Sequence, residues 1–406
     1  MALNLIRNAR MFFTTNVDAT TGVVATTGFS ATNTREIQVL DGLSVSQATG
    51  SETVTVNEAG TAPVRGQRQF NTSLEPVEMT FSTYMRPYFN AVGAGTGDDK
   101  IECEEEVLWN AFAAGFVDGT EELIGGNNAA WAATAGANPV STLTMAQSGK
   151  NQMQRFGMII ILDNSAYIVD NCALDQATID FGLDGIATIA WTARGTIMRN
   201  ESVTATKSAT YATDITFGGS LTGTAKNRNT GASLLANKLS SVALSSISVS
   251  GNYGSGGNAA KTFDIALTGG SITLANNITY LTPANLGVVN KPFTYFTGTR
   301  AVSGTLNCYL KTGTGAAPYK SAELLDFMLD DNTNVEPAFS LTLHIGGGSS
   351  TKPRITVAMP SVVLQIPTIN TEQVVSTTIN FTAQGLTSSA FDLEAKNEVS
   401  ISYYAQ

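Results

Sequence analysis

Alternation of apolar and polar side chains runs through most of this chain. In Phe339–Ser340–Leu341–Thr342–Leu343–His344–Ile345 every second residue is apolar, the pattern of a strand with one face buried. Val77–Phe81, Ile186–Trp191, Ile247–Val249 and Thr377–Phe381 repeat it with β-branched and aromatic residues, which suit a pleated surface. Asp264–Thr268 and Ser271–Leu274 flank Gly269–Gly270, a dipeptide that predicts a hairpin turn because glycine tolerates positive φ. Helical periodicity is confined to two stretches. Glu104–Phe116 places Val107, Leu108, Ala111, Phe112 and Gly115 on one side, and Ser321–Leu329 does so with Leu324, Leu325 and Met328. Both carry acidic residues in the first turn, which suits the positive end of a helix dipole. The pattern predicts a mainly β protein with a minor α component.

The chain also resembles itself. Shifted by 190 positions, Leu364–Gly385 lies over Leu174–Gly195 without a gap, with identities at Leu364/Leu174, Thr368/Thr178, Ile369/Ile179, Thr378/Thr188, Ile379/Ile189, Thr382/Thr192, Ala383/Ala193 and Gly385/Gly195. Phe381 falls on Trp191. Upstream, Phe156–Leu162 corresponds to Phe339–Ile345, and Glu106–Leu108 to Glu323–Leu325. Phe81–Tyr84–Met85 corresponds to Leu306–Tyr309–Leu310, and Leu43–Ser46 to Ile247–Ser250. The economical account is two tandem β domains, 1–200 and 201–406, each a β-sandwich or barrel with one flanking helix and long loops. The polar, Gly-containing stretch at about 218–236 reads as a linker or loop. Asn90–Asp99 and Asp118–Gln152 read as long loops that are functional or order against neighbours.

Composition narrows the chemistry. Of 406 residues 43% are hydrophobic and only 14% charged, against roughly 25% charged in ordinary soluble domains. Thr, Ser, Asn and Gly must therefore cover much of the surface. Such a surface suits a chain that hides in an assembly, where few charges need desolvating. The net charge of −10 disfavours gripping nucleic acid, whose affinity for proteins comes mainly from Lys and Arg. Residues 1–200 hold 21 acids and 11 bases, whereas 201–406 hold 12 of each. His344 is the single histidine, which removes most histidine-dependent catalysis and metal binding. It sits on the polar face of an alternating strand, as an exposed or interface residue would. Cys103, Cys172 and Cys308 are too few for a zinc cluster or disulfide framework and read as buried thiols in a reducing compartment. Residues 1–13 show no signal-peptide core, and the longest aliphatic run, Met158–Leu162, is too short to span a bilayer, so a soluble cytoplasmic product is expected.

No G-x-S-x-G motif is present, and Gly149–Lys150–Asn151 lacks both the upstream glycine and the hydroxyl of a phosphate loop. The glycine run Gly93, Gly95, Gly97 reads as linker. The acidic cluster Glu102, Glu104, Glu105, Glu106 lacks the spaced ligands of a calcium loop and reads as a solvated helix start. Asp175, Asp180 and Asp184 read as a solvated strand edge. No cofactor, metal or catalytic group is expected.

The opening Leu5–Ile6–Arg7–Asn8–Ala9–Arg10, the strand–helix–hairpin order and the closing units Trp191–Thr192–Ala193–Arg194–Gly195 and Phe381–Thr382–Ala383–Gln384–Gly385 together resemble tailed-phage tail tube proteins. The resemblance implies a structural, non-enzymatic virion protein assembled in the host cytoplasm. Its doubled domain would close rings as a trimer with pseudo-sixfold symmetry. Those rings would stack into a tube that conducts DNA without gripping it. Implied partners are further copies of the chain, a tape measure protein and, in a contractile tail, a sheath protein; no membrane is involved. Glu75, Glu78, Asp180 and Asp184 are candidate lumen-facing acids, since like charges keep DNA off the wall. Other classes are a tail terminator, baseplate or surface-layer protein, and a carbohydrate-binding adhesin or hydrolase. The last would need exposed aromatic platforms beside paired carboxylates, and Trp109, Trp131 and Trp191 have no such companions.

Overall fold

The computed structural model describes residues 9–54, 68–90, 100–113, 131–134, 140–145, 153–162, 165–206, 215–228, 231–247, 261–330, 338–347, 353–371, 374–387, 390–391 and 397–404. The expectations for residues 1–8, Gly93–Gly97, Gly149–Asn151 and 248–250, and for most of the two long loops, lie outside these residues.

Strands dominate, as the alternation predicts. In the first half these are β1 (Ala9–Thr14), β2 (Ser44–Val54), β3 (Arg68–Tyr84), then helix α1 (Glu106–Ala113), β4 (Phe156–Leu162), β5 (Ser165–Gly182), β6 (Thr188–Gly195) and β7 (Ile197–Glu201). In the second half come β8 (Ser241–Ser246), β9 (Leu267–Ala275), β10 (Ala301–Tyr309), helix α2 (Ser321–Asp330), β11 (Ala338–Ile345), β12 (Arg354–Leu364), β13 (Thr368–Asn370), β14 (Ser376–Gln384) and β15 (Ser400–Tyr404).

One antiparallel sheet runs across both halves in the order β2–β3–β6–β5–β9–β10–β14–β13. The halves meet in it where β5 pairs with β9, Ile179 opposite Ile272. The N-terminal part of β5 leaves this sheet and pairs instead with β4 and β7, while β1 pairs with β4. In the second half β12 pairs with β11 and β15, and β8 pairs with β11. The long strand β5 changes sheets near Asn171, which sits at φ 48°. Its second-half counterpart in this pattern is broken into β12 and β13 around Pro367. Proline has no N–H to give to a ladder.

The pairings of the two halves agree in detail. Met158 opposes Val169 and Phe156 opposes Cys172 across a register shift. Leu341 opposes Met359 and Phe339 opposes Val362 across the same kind of shift, so offsets of 183 and 190 superpose both ladders, bulge included. The closing hairpins agree only after a two-residue slip. Asp180 opposes Thr188 and Leu174 opposes Ala193, whereas Asn370 opposes Ser376 and Leu364 opposes Phe381. Phe381 therefore occupies the place of Ala193, and Ile379 that of Trp191. An even slip keeps every side chain on its own face, which is why an ungapped alignment conceals it.

Three local expectations are corrected. Gly269–Gly270 makes no turn, and β9 runs straight through it with an irregularity at Leu267/Gly269. The glycines are there for room: Gly270 lies opposite Phe181, and a Cβ on it would stand 2.1 Å from the Thr305 carbonyl oxygen and 2.9 Å from the Phe181 ring. Leu43–Ser46 matches residues 270–273 of β9 by pairing, because both strands flank the equivalent partners β3 and β10; it does not match Ile247–Ser250. Within the stretch read as a linker, Ile215–Gly219 and Thr222–Ala225 are strands of a small sheet with Val203–Thr206 and Thr27–Phe29. That sheet has its own apolar core around Phe12, Phe29, Ile159 and Phe217.

The main core is continuous across the halves. Trp109 of α1 packs edge-on against Trp191 of β6, ring centroids 4.8 Å apart. The helix begins at Glu106, two residues later than its periodicity predicts, and residues 114–116 lie outside the described set. β15, the last strand, pairs with β12 on one side and with Val140–Thr144 on the other, tying the end of the chain into the first half.

Candidate lumen and assembly face

The eight-stranded sheet buries one face and presents the other. On β3 Val77, Met79, Phe81 and Thr83 point inward, so Glu78, Thr80, Ser82 and Tyr84 point out. The same period puts Thr188, Ala190, Thr192 and Arg194 of β6 and Gln176, Thr178 and Asp180 of β5 on the outer face. It continues with Ser271 and Thr273 of β9, Ser303, Thr305 and Asn307 of β10, and Thr378, Asn380 and Thr382 of β14. Hydroxyls and amides tile this surface and bond to one another. Thr178 Oγ1 and Thr273 Oγ1 are 3.2 Å apart, Ser271 Oγ and Thr305 Oγ1 3.3 Å, and Thr378 Oγ1 donates to Asn307 Oδ1 at 3.0 Å. Across residues 77–84 of β3 and the strands β6, β5, β9, β10 and β14, the outward positions named above carry three charged side chains, Glu78, Asp180 and Arg194. Arg194 is half-occupied by Asp175 at 3.4 Å and by the Ile278 carbonyl at 3.1 Å.

Of the four candidate acids, Glu78 and Asp180 lie on this face. Partial burial raises the pKa of Asp180 above its ordinary value. Glu75 is exposed farther along β3, beyond the irregularity between Gln47 and Thr49 in the β2–β3 ladder. Asp184 is exposed in the tight connection from β5 to β6. The sheet therefore gathers two of them on one surface and leaves the others at its margins.

The acidic cluster at the start of α1 is not solvated. Glu104, Glu105 and Glu106 are all buried. Tyr403 of β15 donates to Glu105 Oε1 at 2.7 Å and accepts from Trp109 Nε1 at 2.8 Å. The Arg86 N–H approaches both Glu105 oxygens at 3.4 Å, and Arg35 stands 3.9 Å from Glu104. Burial pushes the Glu105 carboxyl up to about 7, against the pull of its hydrogen bonds. Sequence reasoning missed this because the donors come from residues 86 and 403, far off in the chain. Among the described residues no group of three or more His, Cys, Asp or Glu side chains is placed to hold a metal ion. His344 is half-buried with Nδ1 3.0 Å from Thr356 Oγ1, and burial followed by the nearby Arg354 charge lowers its pKa. The three cysteines are buried and unbridged. Among the described residues no helix is long and apolar enough to cross a membrane.

No protein-family model matches the sequence. Against curated proteins, it is 28% identical over 389 residues to "Tail tube protein pb6" of Escherichia phage T5, a match covering 94% of this chain and 73% of that protein. This chain is a homologue of a phage tail tube protein. The resemblance read from the closing units is borne out, and the similarity extends far beyond them.

Proposed function

We propose that this chain is a structural, non-enzymatic subunit of a phage tail tube, built as two tandem copies of one β domain, 1–200 and 201–406. Three chains close into a pseudo-hexameric ring, and rings stack into the tube through which DNA leaves the virion. The observation that carries this reading is the wide, hydroxyl-lined sheet face shared by both halves, taken with the tail tube homologue. A wall of bonded hydroxyls with two acids and one paired arginine offers phosphates no cation to hold, and Glu78 and Asp180 repel them weakly. The matched ladders and shared bulge support the tandem copy.

Exposed apolar residues support stacking. The arm between β9 and β10 carries Leu286, Val288 and Phe293 exposed, and its Asn290 pairs with Leu74 and Thr72 of β3. Such surface seeks cover in an assembly. A tape measure protein inside and, in a contractile tail, a sheath outside would be the partners in the virion, after assembly in the host cytoplasm. Negative-stain electron microscopy of the concentrated protein tests the proposal. Threefold rings stacking into hollow tubes are expected, and a persistent monomer absent from virions would overturn it.

A further inference from the structure

We propose that the acidic cluster at the start of α1 is a proton-operated latch on β15: one proton stays in the cluster while the last strand is seated and leaves when that strand lifts. The cluster gathers distant parts of the chain. Glu104, Glu105 and Glu106 are enclosed with Arg35 of Thr34–Ile37 and with Arg86, two residues beyond β3. Three carboxyls therefore stand against two guanidiniums, and the fully ionised set would keep one negative charge out of water. Retaining one proton makes the set neutral, the favoured state in an apolar interior.

Glu105 is the member that holds it. Arg35 lies 3.9 Å from Glu104 and donates to the Tyr88 hydroxyl at 3.0 Å, while the Arg86 guanidinium donates to Gln38 Oε1 and, at 2.9 Å, to the Ala232 carbonyl. Among the described residues the Glu105 oxygens accept from neutral donors, the Tyr403 hydroxyl and the Arg86 backbone N–H. Burial first, and then the Glu104 charge, raise this carboxyl to about 7. The thiol of Cys103 and the phenol of Tyr403 are each pushed up by burial and then by Glu105, so both stay neutral. The cavity lined by Gln38, Thr83, Arg86, Glu104 and Glu105 measures about 10 Å³, room for one water. An ionised Glu105 therefore gains its hydration only when a wall moves. The wall carrying its hydroxyl donor is β15, five residues long against seventeen in β3. Its lifting breaks the ladders to Arg354–Ala358 and Val140–Thr144. Between 4.5 and about 7 the seated strand keeps a proton that the lifted one loses, so opening grows as pH rises through this window.

The test is native-state hydrogen exchange on the full chain, read by mass spectrometry at pH 5 and pH 8 and corrected for the intrinsic exchange rates. The opening constant of residues 400–404 and 140–144 should rise about 70-fold between those two values, as a carboxyl moved from 4.5 to about 7 requires. Both segments should also open at least about tenfold more often than β3 and β6, the mark of a strand that lifts by itself. Glu105→Gln should flatten the pH dependence. Tyr403→Phe, which keeps the buried carboxyl but removes its tie to β15, should open faster at both pH values and retain the rise. Opening of β15 that ignores pH in the unaltered chain, or that matches β3 and β6 and so occurs only with the whole fold, would overturn the latch. So would a rise that survives in Glu105→Gln, or a Tyr403→Phe chain that exchanges no faster than the unaltered one.

Discussion

Glu105 shows how a single side chain can mislead a sequence reading. Four near-consecutive glutamates at a helix start look solvated, yet this carboxyl is enclosed with Tyr403 and Trp109. Its pKa of about 7 stands above the ordinary 4.5. Between those values the folded chain keeps a proton that the unfolded chain has lost, so stability falls as pH rises through this window. The displacement corresponds to about 3 kcal/mol. Glu105→Gln keeps an acceptor for Tyr403 and should abolish that fall, which urea unfolding at pH 5 and pH 8 will detect. Tyr403→Phe strips a donor from the buried carboxylate and leaves Trp109 Nε1 unmet, and should cost about 1–3 kcal/mol. Gly270→Ala should cost about 1–3 kcal/mol through the clash with Thr305 and Phe181, read as a lower Tm. None of these positions announces itself in the sequence. Burial of a charge depends on donors hundreds of residues away, and a glycine kept for space is spelled the same way as one kept for a turn.

At the level of strands and helices much more was legible. Period-two alternation located β3, β11 and β14, and period 3.6 located both helices, because one buried face imposes those spacings locally. The offsets 183 and 190 agree with the observed ladders. What escaped was whatever pairing decides: the two-residue slip at β14, the partner of Leu43–Ser46, and the small sheet folded from the supposed linker. Phe381, buried opposite Gly304 of β10, tests the placement of β14. Phe381→Asp sets an unpaired carboxylate among apolar side chains and should remove more than about 4 kcal/mol, seen as loss of soluble expression. Phe381→Leu should remain soluble.

Taken whole, the molecule is a broad sheet with a quiet outer surface. Low charge content fits the proposal of an assembling chain with no grip on nucleic acid. The sequence did not reveal that three of the first half's acids, Glu104, Glu105 and Glu106, are inside. The surface makes a test available. Thr192→Lys with Thr305→Lys adds two cations to the outer face without touching the core. Tubes should still form, while phage carrying the change should lose infectious titre at least tenfold through retarded DNA exit. The purified tubes should retain DNA at low salt and release it as salt rises.

The final strand has a further effect, on the order of events during synthesis. Ile401 and Tyr403 stand in a ladder with Val140–Thr144 and belong to the core that holds Trp109. That ladder of the first half thus stays incomplete until residues 400–404 have left the ribosome. A nonsense codon near position 397 would therefore damage the packing of the first half as well as that of the second.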